Sequence, residues 1–208
     1  MDTRTNQGLA EVERQVAWPE HAILNLGCGR KHMPQAVNLD ITSETNPDIV
    51  HDLNQRPWPF DDNQFQAIYA RDVIEHLGDT VAAMEEIHRI CAPGAMVYLN
   101  VPHFSSAGAF TDPTHRRYFS AFTFDYFAED HELNFYSRCR FRPRLVQIIF
   151  HPTILNKIVW RLANKYPEAY ERRWAWIFPA YLIYAELEVV KQSSQPVRAP
   201  RPPIREYE

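Results

Sequence analysis

Two stretches of the chain group polar and small residues tightly enough to do chemistry. The first is "AILNLGCGRKHMPQAVNLDI", residues 22–41. An apolar run stops at Gly27, a Gly-Cys-Gly turn follows, and a second apolar run ends near Asp40. Glycine lets a backbone turn tightly and lets a ligand come close. A carboxylate at the end of the next strand can accept both hydroxyls of a ribose, and Asp52, closing a third short segment, is placed to accept from an adenine amino group. Together they fit a nucleoside ligand without phosphates. The second stretch is "PHFSSAGAFTDPTHRRYFSAFTFDYF", residues 102–127, the densest polar patch in the chain. A histidine titrating near neutrality is a natural base for a hydroxyl or amine. His103 and His115 are therefore the candidate catalytic bases, with Asp112 beside them. "DPTH" is equally a good turn, with Asp first and Pro second, and Phe119, Phe122, Phe124 and Phe127 can pack the loop down. Structural loop and active-site lid stand even at this point. His103, Asp112 and His115 have the residue types for a divalent ion, but their spacing matches no standard motif and no metal is expected.

Dinucleotide binding fits the first stretch badly. His32 stands where the third glycine of GxGxxG belongs, and the acidic residue comes far sooner than the usual ~20 residues on. The crossover from Leu26 to Ala36 is short for a βαβ unit and contains Pro34, so its helix must shrink to about one turn. The missing glycine also disfavours nicotinamide redox chemistry.

The elements that position these residues follow from periodicity. "AILNL", "QAVNLDI", "DIVHDL", "FQAIYA" and "AMVYLNV" are expected strands. Between the last two, "DTVAAMEEIHRICAPG" places Val81, Met84, Ile87, His88 and Cys91 near one helical face, with Glu85, Glu86 and Arg89 largely on the other. Asp79 or Thr80 caps its start and Pro93-Gly94 ends it. Strands separated by helices and short loops argue for a parallel sheet with covered faces. Later, "FRPRLVQIIFH" reads as a strand, "YLIYAELEVVK" as a strand or a helix, and residues 153–178 as an aromatic helical segment. That segment carries three of the five tryptophans. Core packing is its first expected role; an acceptor pocket, a homodimer face or a membrane surface are others. His76 and His88 read as structural. Residues 1–20 form a lead-in, 21–190 one domain, and 191–208 a flexible Pro-rich tail.

Composition narrows the class. A chain of 208 residues with 45% apolar and 23% charged residues is ordinary for one globular domain. A net charge of −4 carries no basic excess for nucleic acid. No apolar run reaches the ~18 residues of a spanning helix, and the first residues have no signal-peptide core. Three widely spaced cysteines form neither a disulfide framework nor a zinc pattern. A reducing, cytoplasmic compartment is expected.

"LNLGCGR", "NLDI", "HDLNQRPWPFDDNQFQAIYARDVIEHL" and "EEIHRICAPGAMVYLNVP", in that order, resemble the successive motifs of class I S-adenosylmethionine-dependent methyltransferases, nearest the type 11 group. The resemblance covers residues 22–104 and continues more faintly to about 127. It implies a Rossmann-like α/β fold: a seven-stranded, mostly parallel sheet, the last strand antiparallel, with helices on both faces. It also implies a cofactor site of Asn25, Gly27, Cys28, Gly29, Asp40, Asp52, Leu53, Arg71 and Asp72. In that site Gly27 and Gly29 pass under the methionine part, Asp40 holds the ribose, Asp52 the adenine amino group, and Arg71 and Asp72 line the mouth. Glu75 and His76 belong to the "EHL" signature. Asn25 departs from a position that is often acidic, and Arg30 from one that is often small. The implied activity is methyl transfer from S-adenosylmethionine to the O or N of a small-molecule acceptor. The rival is a non-catalytic protein of the same fold that binds a partner through its aromatic C-terminal half.

Overall fold

The computed structural model describes residues 22–191. The expected lead-in, and the expected tail beyond Lys191, lie outside the described residues. Strands β1 (Ile23–Leu26) and β4 (Phe65–Arg71) are apolar on both faces and buried on both, the pattern of strands inside a parallel sheet. With β2 (Val37–Asp40), β3 (Ile49–Val50), β5 (Cys91–Pro102), β6 (Phe141–Ile149) and β7 (Leu182–Val189) they form one seven-stranded sheet of order β3-β2-β1-β4-β5-β7-β6. β7 runs antiparallel to both of its neighbours, and the pairs from β3 through β5 are parallel. The strand order reverses between β1 and β4. That is the topological switch point, where open α/β sheets bind ligands beyond the carboxyl ends of the strands. "YLIYAELEVVK" resolves as a strand because Ile183, Ala185, Leu187 and Val189 alternate into the core.

Helix α1 (Thr80–Ile90) is capped by Asp79, whose carboxylate accepts from the Ala82 N–H at 3.0 Å. Its Met84, Ile87 and Ile90 pack in one cluster with Leu24, Leu26, Ile68, Val97 and Leu99 of the sheet. The helix stops before the expected Pro93-Gly94. Cys91 already begins β5, and Gly94, at φ +77°, lies inside that strand where its register against β4 shifts. His88 is half-buried, with Nε2 3.1 Å from the Val190 carbonyl.

The opposite face buries Ile23, Ala67, Tyr69 and Tyr98 under Met33 and Ala36 of the β1–β2 connection. That connection holds no helix, not even the single turn expected. Two buried amides replace it. Asn25 and Asn38 are cross-strand partners, and Asn25 Nδ2 donates to Asn38 Oδ1 at 2.9 Å and to the Lys31 carbonyl at 3.0 Å. Asn38 accepts from the Met33 N–H and donates to the carbonyls of Met33 and Ala36 and to Asp48. A loop crossing a buried face needs every backbone group satisfied, and these amides supply what a helix would have supplied internally.

At the carboxyl end of the sheet, α2 (Gly108–Thr111) is a single turn. Helices α3 (Ile154–Lys165) and α4 (Pro167–Arg173) fill the aromatic segment as expected. Asn164 of α3 exchanges two 2.8 Å hydrogen bonds with the Ile148 N–H and C=O, closing the free edge of β6. The core-packing expectation for this segment holds at Ala163, Tyr170 and Ala175, which are buried with Ile148 and Phe150, but not at its tryptophans: Trp160, Trp174 and Trp176 are all exposed. Among the described residues no helix is long and apolar enough to cross a membrane.

Replacing Asn38 by Ala strips the β1–β2 connection of its bridging amide. The expected cost is about 3 kcal/mol of unfolding free energy in urea titrations. A loss under about 1 kcal/mol would show that the connection is held by other groups.

Candidate active site

The first half of the site is the turn after β1. Gly27 has φ +57°, and a Cβ there would lie 2.3 Å from Cγ2 of Val73, just past β4. Gly29 has φ +51°, and a Cβ there would meet nothing within 4 Å. The first glycine is required by its neighbour; the second leaves bare backbone facing open space. The Gly29 N–H donates to Asp40 Oδ2 at 2.8 Å and the Thr42 N–H to Oδ1 at 3.2 Å, so turn and carboxylate are fixed relative to each other. Each oxygen keeps an acceptor site for a ribose hydroxyl. Asp52 Oδ1 accepts from the backbone and side-chain N–H of Asn54, which holds its carboxyl below the usual range. Leu53 is buried, and its carbonyl takes the indole N–H of Trp58. Arg71 reaches Met33 Sδ at 3.3 Å and lies 5.6 Å from the Tyr69 ring centroid. Asp72 is exposed in a left-handed turn at φ +57°.

Two expected cofactor residues stand differently. Asn25 is 3% exposed and is spent on the loop and Asn38. An acidic residue there could not donate to the Lys31 carbonyl. Cys28 is buried, and burial followed by the charges of Asp40 and Asp48 pushes its thiol up.

The second half is the segment 103–127, and it separates the two candidate bases. His103 is fully buried. Its Nδ1 accepts from the Ser105 N–H, which leaves the proton on Nε2, 3.2 Å from Glu171 Oε1 of α4. Both ring nitrogens are taken, so His103 positions the chain rather than accepting a proton from a substrate. Glu171 also accepts from the Ser120 hydroxyl at 2.6 Å and the Ala121 N–H at 2.7 Å. Burial raises the Glu171 carboxyl, but these three donors outweigh it and hold it below its ordinary value. Phe119, Phe124 and Phe127 pack as expected, whereas Phe122 is exposed.

His115 has a different neighbourhood. Asp112 to His115 forms the expected turn, the His115 N–H meeting the Asp112 carbonyl at 3.3 Å. His115 Nδ1 lies 3.1 Å from the Ala109 carbonyl. A carbonyl can only accept, so Nδ1 carries a proton, and in the neutral ring Nε2 keeps its lone pair. That Nε2 is 4.0 Å from Glu75 Oε1. Glu75 is fully buried, and neither carboxyl oxygen has a hydrogen-bond partner. Burial, against a weaker opposing pull from its own backbone N–H and with further contributions from Asp72 and Asp112, pushes its carboxyl up to about 8. His76, read from sequence as structural, packs edge-on to His115 at 4.7 Å between ring centroids. One donor atom each from Glu75, His76 and His115 lies within 4.8 Å of the others, a grouping able to hold a metal ion. The metal-suited residue types noted in sequence were His103, Asp112 and His115. The fold brings His115 to Glu75 and His76 instead, and keeps His103 on Glu171. Glu171 and Glu75 were legible only as members of a helix and of a family signature.

A seven-stranded sheet of order β3-β2-β1-β4-β5-β7-β6, parallel but for β7, with a glycine turn locked to a carboxylate at its switch point, is the class I methyltransferase fold. The chain belongs to a family described as methyltransferase domain, whose model matches residues 19–145. It is similar in fold to the YcgJ protein from Bacillus subtilis (13% identity, TM-score 0.60, covering 91% of this chain and 100% of that one). It is also similar to a SAM-dependent methyltransferase from Archaeoglobus fulgidus (15%, 0.57, 88% and 93%). A phosphoethanolamine N-methyltransferase from Haemonchus contortus in complex with S-adenosyl-L-methionine matches at 14% and 0.55, covering 90% of this chain and 53% of that one. No curated protein is significantly similar in sequence. Family and fold bear out the expected S-adenosylmethionine-dependent methyltransferase.

Glu75 gives a pH signature. In the native state its carboxyl stays protonated up to about 8, whereas the unfolded chain releases that proton near 4.5. The native state therefore binds more protons in that window, and this group's contribution to stability falls as pH rises through it. Glu75→Gln, compared with wild type in chelator-containing buffer, should gain relative stability across the same window, by about 1 kcal/mol or more at its upper end. A pH-independent difference would place a charged, solvated carboxylate at this position.

Proposed function

We propose that the chain transfers the methyl group of S-adenosylmethionine to an oxygen or nitrogen of a small-molecule acceptor held beneath segment 103–127. The observation that carries this reading is the turn at Gly27–Gly29 bonded to Asp40, facing open space one strand away from the His115 imidazole loop. When bound, S-adenosylmethionine supplies a sulfonium-activated methyl. The protein's work is then alignment and, where the acceptor carries a proton, its removal. Gly27 and Gly29 accommodate the amino-acid end, Asp40 takes the ribose hydroxyls, Asp52 the adenine amino group, and Leu53, Arg71 and Asp72 complete the rim. His115, with Nε2 unprotonated, is the base, and Asp112 shapes its turn. Segment 103–127 serves as the lid within a domain of residues 21–190. The exposed aromatic face of α3 and α4 is the surface best suited to a homodimer contact. Three free, buried cysteines fit a reducing, cytoplasmic setting.

Calorimetric titration with S-adenosylmethionine, its demethylated product and NAD tests the donor. Binding of the first two at roughly micromolar Kd, and none of NAD, is expected. Asp40→Ala should weaken that binding about tenfold or more, the worth of its charged hydrogen bonds; unchanged affinity removes the ribose assignment. His115→Ala should leave donor binding intact while turnover on an identified acceptor falls by about a hundredfold. Full activity in that variant rules out the base.

A further inference from the structure

We propose that Glu75, His76 and His115 form a divalent-metal site of the kind that takes zinc, manganese or iron(II), and that an oxygen of the acceptor completes its coordination. The metal site stands on geometry; the acceptor's part in it rests on the methyl-transfer reading above, with the ion, once it holds the His115 Nε2 lone pair, acidifying the acceptor in place of that imidazole acting as base. Glu75 is the strongest observation. A carboxyl group with 0% exposure and no partner for either oxygen beyond a marginal approach of its own backbone N–H has lost its water and gained little in the protein. Cations close in sequence do not repair this. Arg117 donates to the Gly78 carbonyl, and Arg116 Nη1 lies over Gly78, 3.5 Å from where its Cβ would be. The group that faces Glu75 is the unprotonated Nε2 of His115, at 4.0 Å. That is too long for a hydrogen bond and a little wider than the roughly 3.4 Å between neighbouring ligands of a tetrahedral ion with bonds of about 2.1 Å, so an ion could draw the two together.

The histidines are set as metal ligands are. Metal-binding imidazoles donate their other N–H to a carbonyl or carboxylate, which fixes the ring and frees the ligating nitrogen. His115 does so through Nδ1 and the Ala109 carbonyl. For His76 the argument runs through Thr114. The Thr114 hydroxyl is 2.7 Å from Asp112 Oδ1 and 2.8 Å from His76 Nδ1. Its one proton goes to the carboxylate, which has none to give, so the hydroxyl must accept from His76 Nδ1–H. His76 Nε2 is then unprotonated as well. Asp112 thus orients His76 through Thr114, and Asp72 and Asp112 both add negative potential at Glu75. Two imidazoles and one carboxylate favour a borderline transition metal over magnesium.

Metal-stripped protein titrated calorimetrically with zinc, manganese and magnesium chlorides tests the site. One equivalent of zinc or manganese is expected to bind, with magnesium weaker by about a hundredfold. Glu75→Gln and His115→Gln should each cost about a hundredfold in zinc affinity, and Thr114→Val about tenfold by releasing the His76 ring. No zinc or manganese binding by folded wild type, or equal binding by both ligand variants, overturns the site. 4-Nitrocatechol, an oxygen chelator whose spectrum shifts on coordination, should respond to zinc-loaded wild type and not to stripped protein. Silence with the loaded protein overturns the acceptor half. Titration of the same preparation with S-adenosylmethionine separates the readings: donor binding without metal binding sinks only the metal site, whereas metal binding without donor binding upholds it and sinks the methyl-transfer reading.

Discussion

Glu75 is the residue on which the site converges. Its backbone carbonyl accepts from the N–H groups of Arg116 and Arg117, at 2.8 and 3.2 Å, and so ties segment 103–127 to the loop after β4. Val73, two residues earlier, is the side chain that forces glycine at position 27. The left-handed Asp72 starts the turn that brings both residues round, with its N–H on the Asn100 carbonyl of β5. One short loop therefore sets the floor of the cofactor turn, the anchor of the lid and a buried carboxyl group. A shift in that loop would move all three together.

Segment 103–127 is clamped at more than one point. Glu171 of α4 takes His103 at its start and Ser120 and Ala121 further on, while the Glu75 carbonyl takes Arg116 and Arg117 between them. What remains between the clamps is the stretch through α2 and the Asp112 turn, where Ala107, Gly108, Phe110 and Asp112 are exposed. Local opening draws on segments with few buried contacts, so this stretch opens more readily than the Phe119–Phe127 end, which the core holds. The two histidines of the segment are one residue type with opposite fates. His103 is saturated by partners from two elements, and His115 keeps a lone pair because its only backbone partner accepts.

Legibility in the sequence followed the range of the interaction. Gly27, Asp40 and Asp52 were readable because their signal is local: a turn and two strand ends. α1 was readable because its apolar spacing and Asp79 cap lie within a dozen residues, although its end was not, since Pro93-Gly94 proved to be a strand irregularity. Asn25 looked like a weakened cofactor residue until Asn38 stood beside it in register. Nothing local marks Glu171 as the partner of His103, because the contact spans 68 positions. The tryptophans of 153–178 read as core because large aromatics usually are. The fold instead buries Ala163, Tyr170 and Ala175 on the inner side and turns the indoles outward. The grouping of Glu75 and His76 with His115 required knowing both which loop crosses which and which nitrogen carries each proton.

A carboxyl group at position 75 makes sense only against its cost. Stability alone would put an apolar side chain in a fully desolvated site packed beside Ile74 and Leu77, since an unpartnered buried charge or acid is a net loss. Sites that carry function are where such losses are tolerated. The surroundings sharpen the point. Neighbouring arginines are engaged at Gly78, the imidazoles are turned to present lone pairs rather than protons, and the nearby aspartates add negative charge where a lone carboxylate would want positive. Each choice is unfavourable for a structural carboxylate. All of them are favourable for a cation held among Glu75, His76 and His115, so the same arrangement that weakens the empty protein is the one that would bind an ion best.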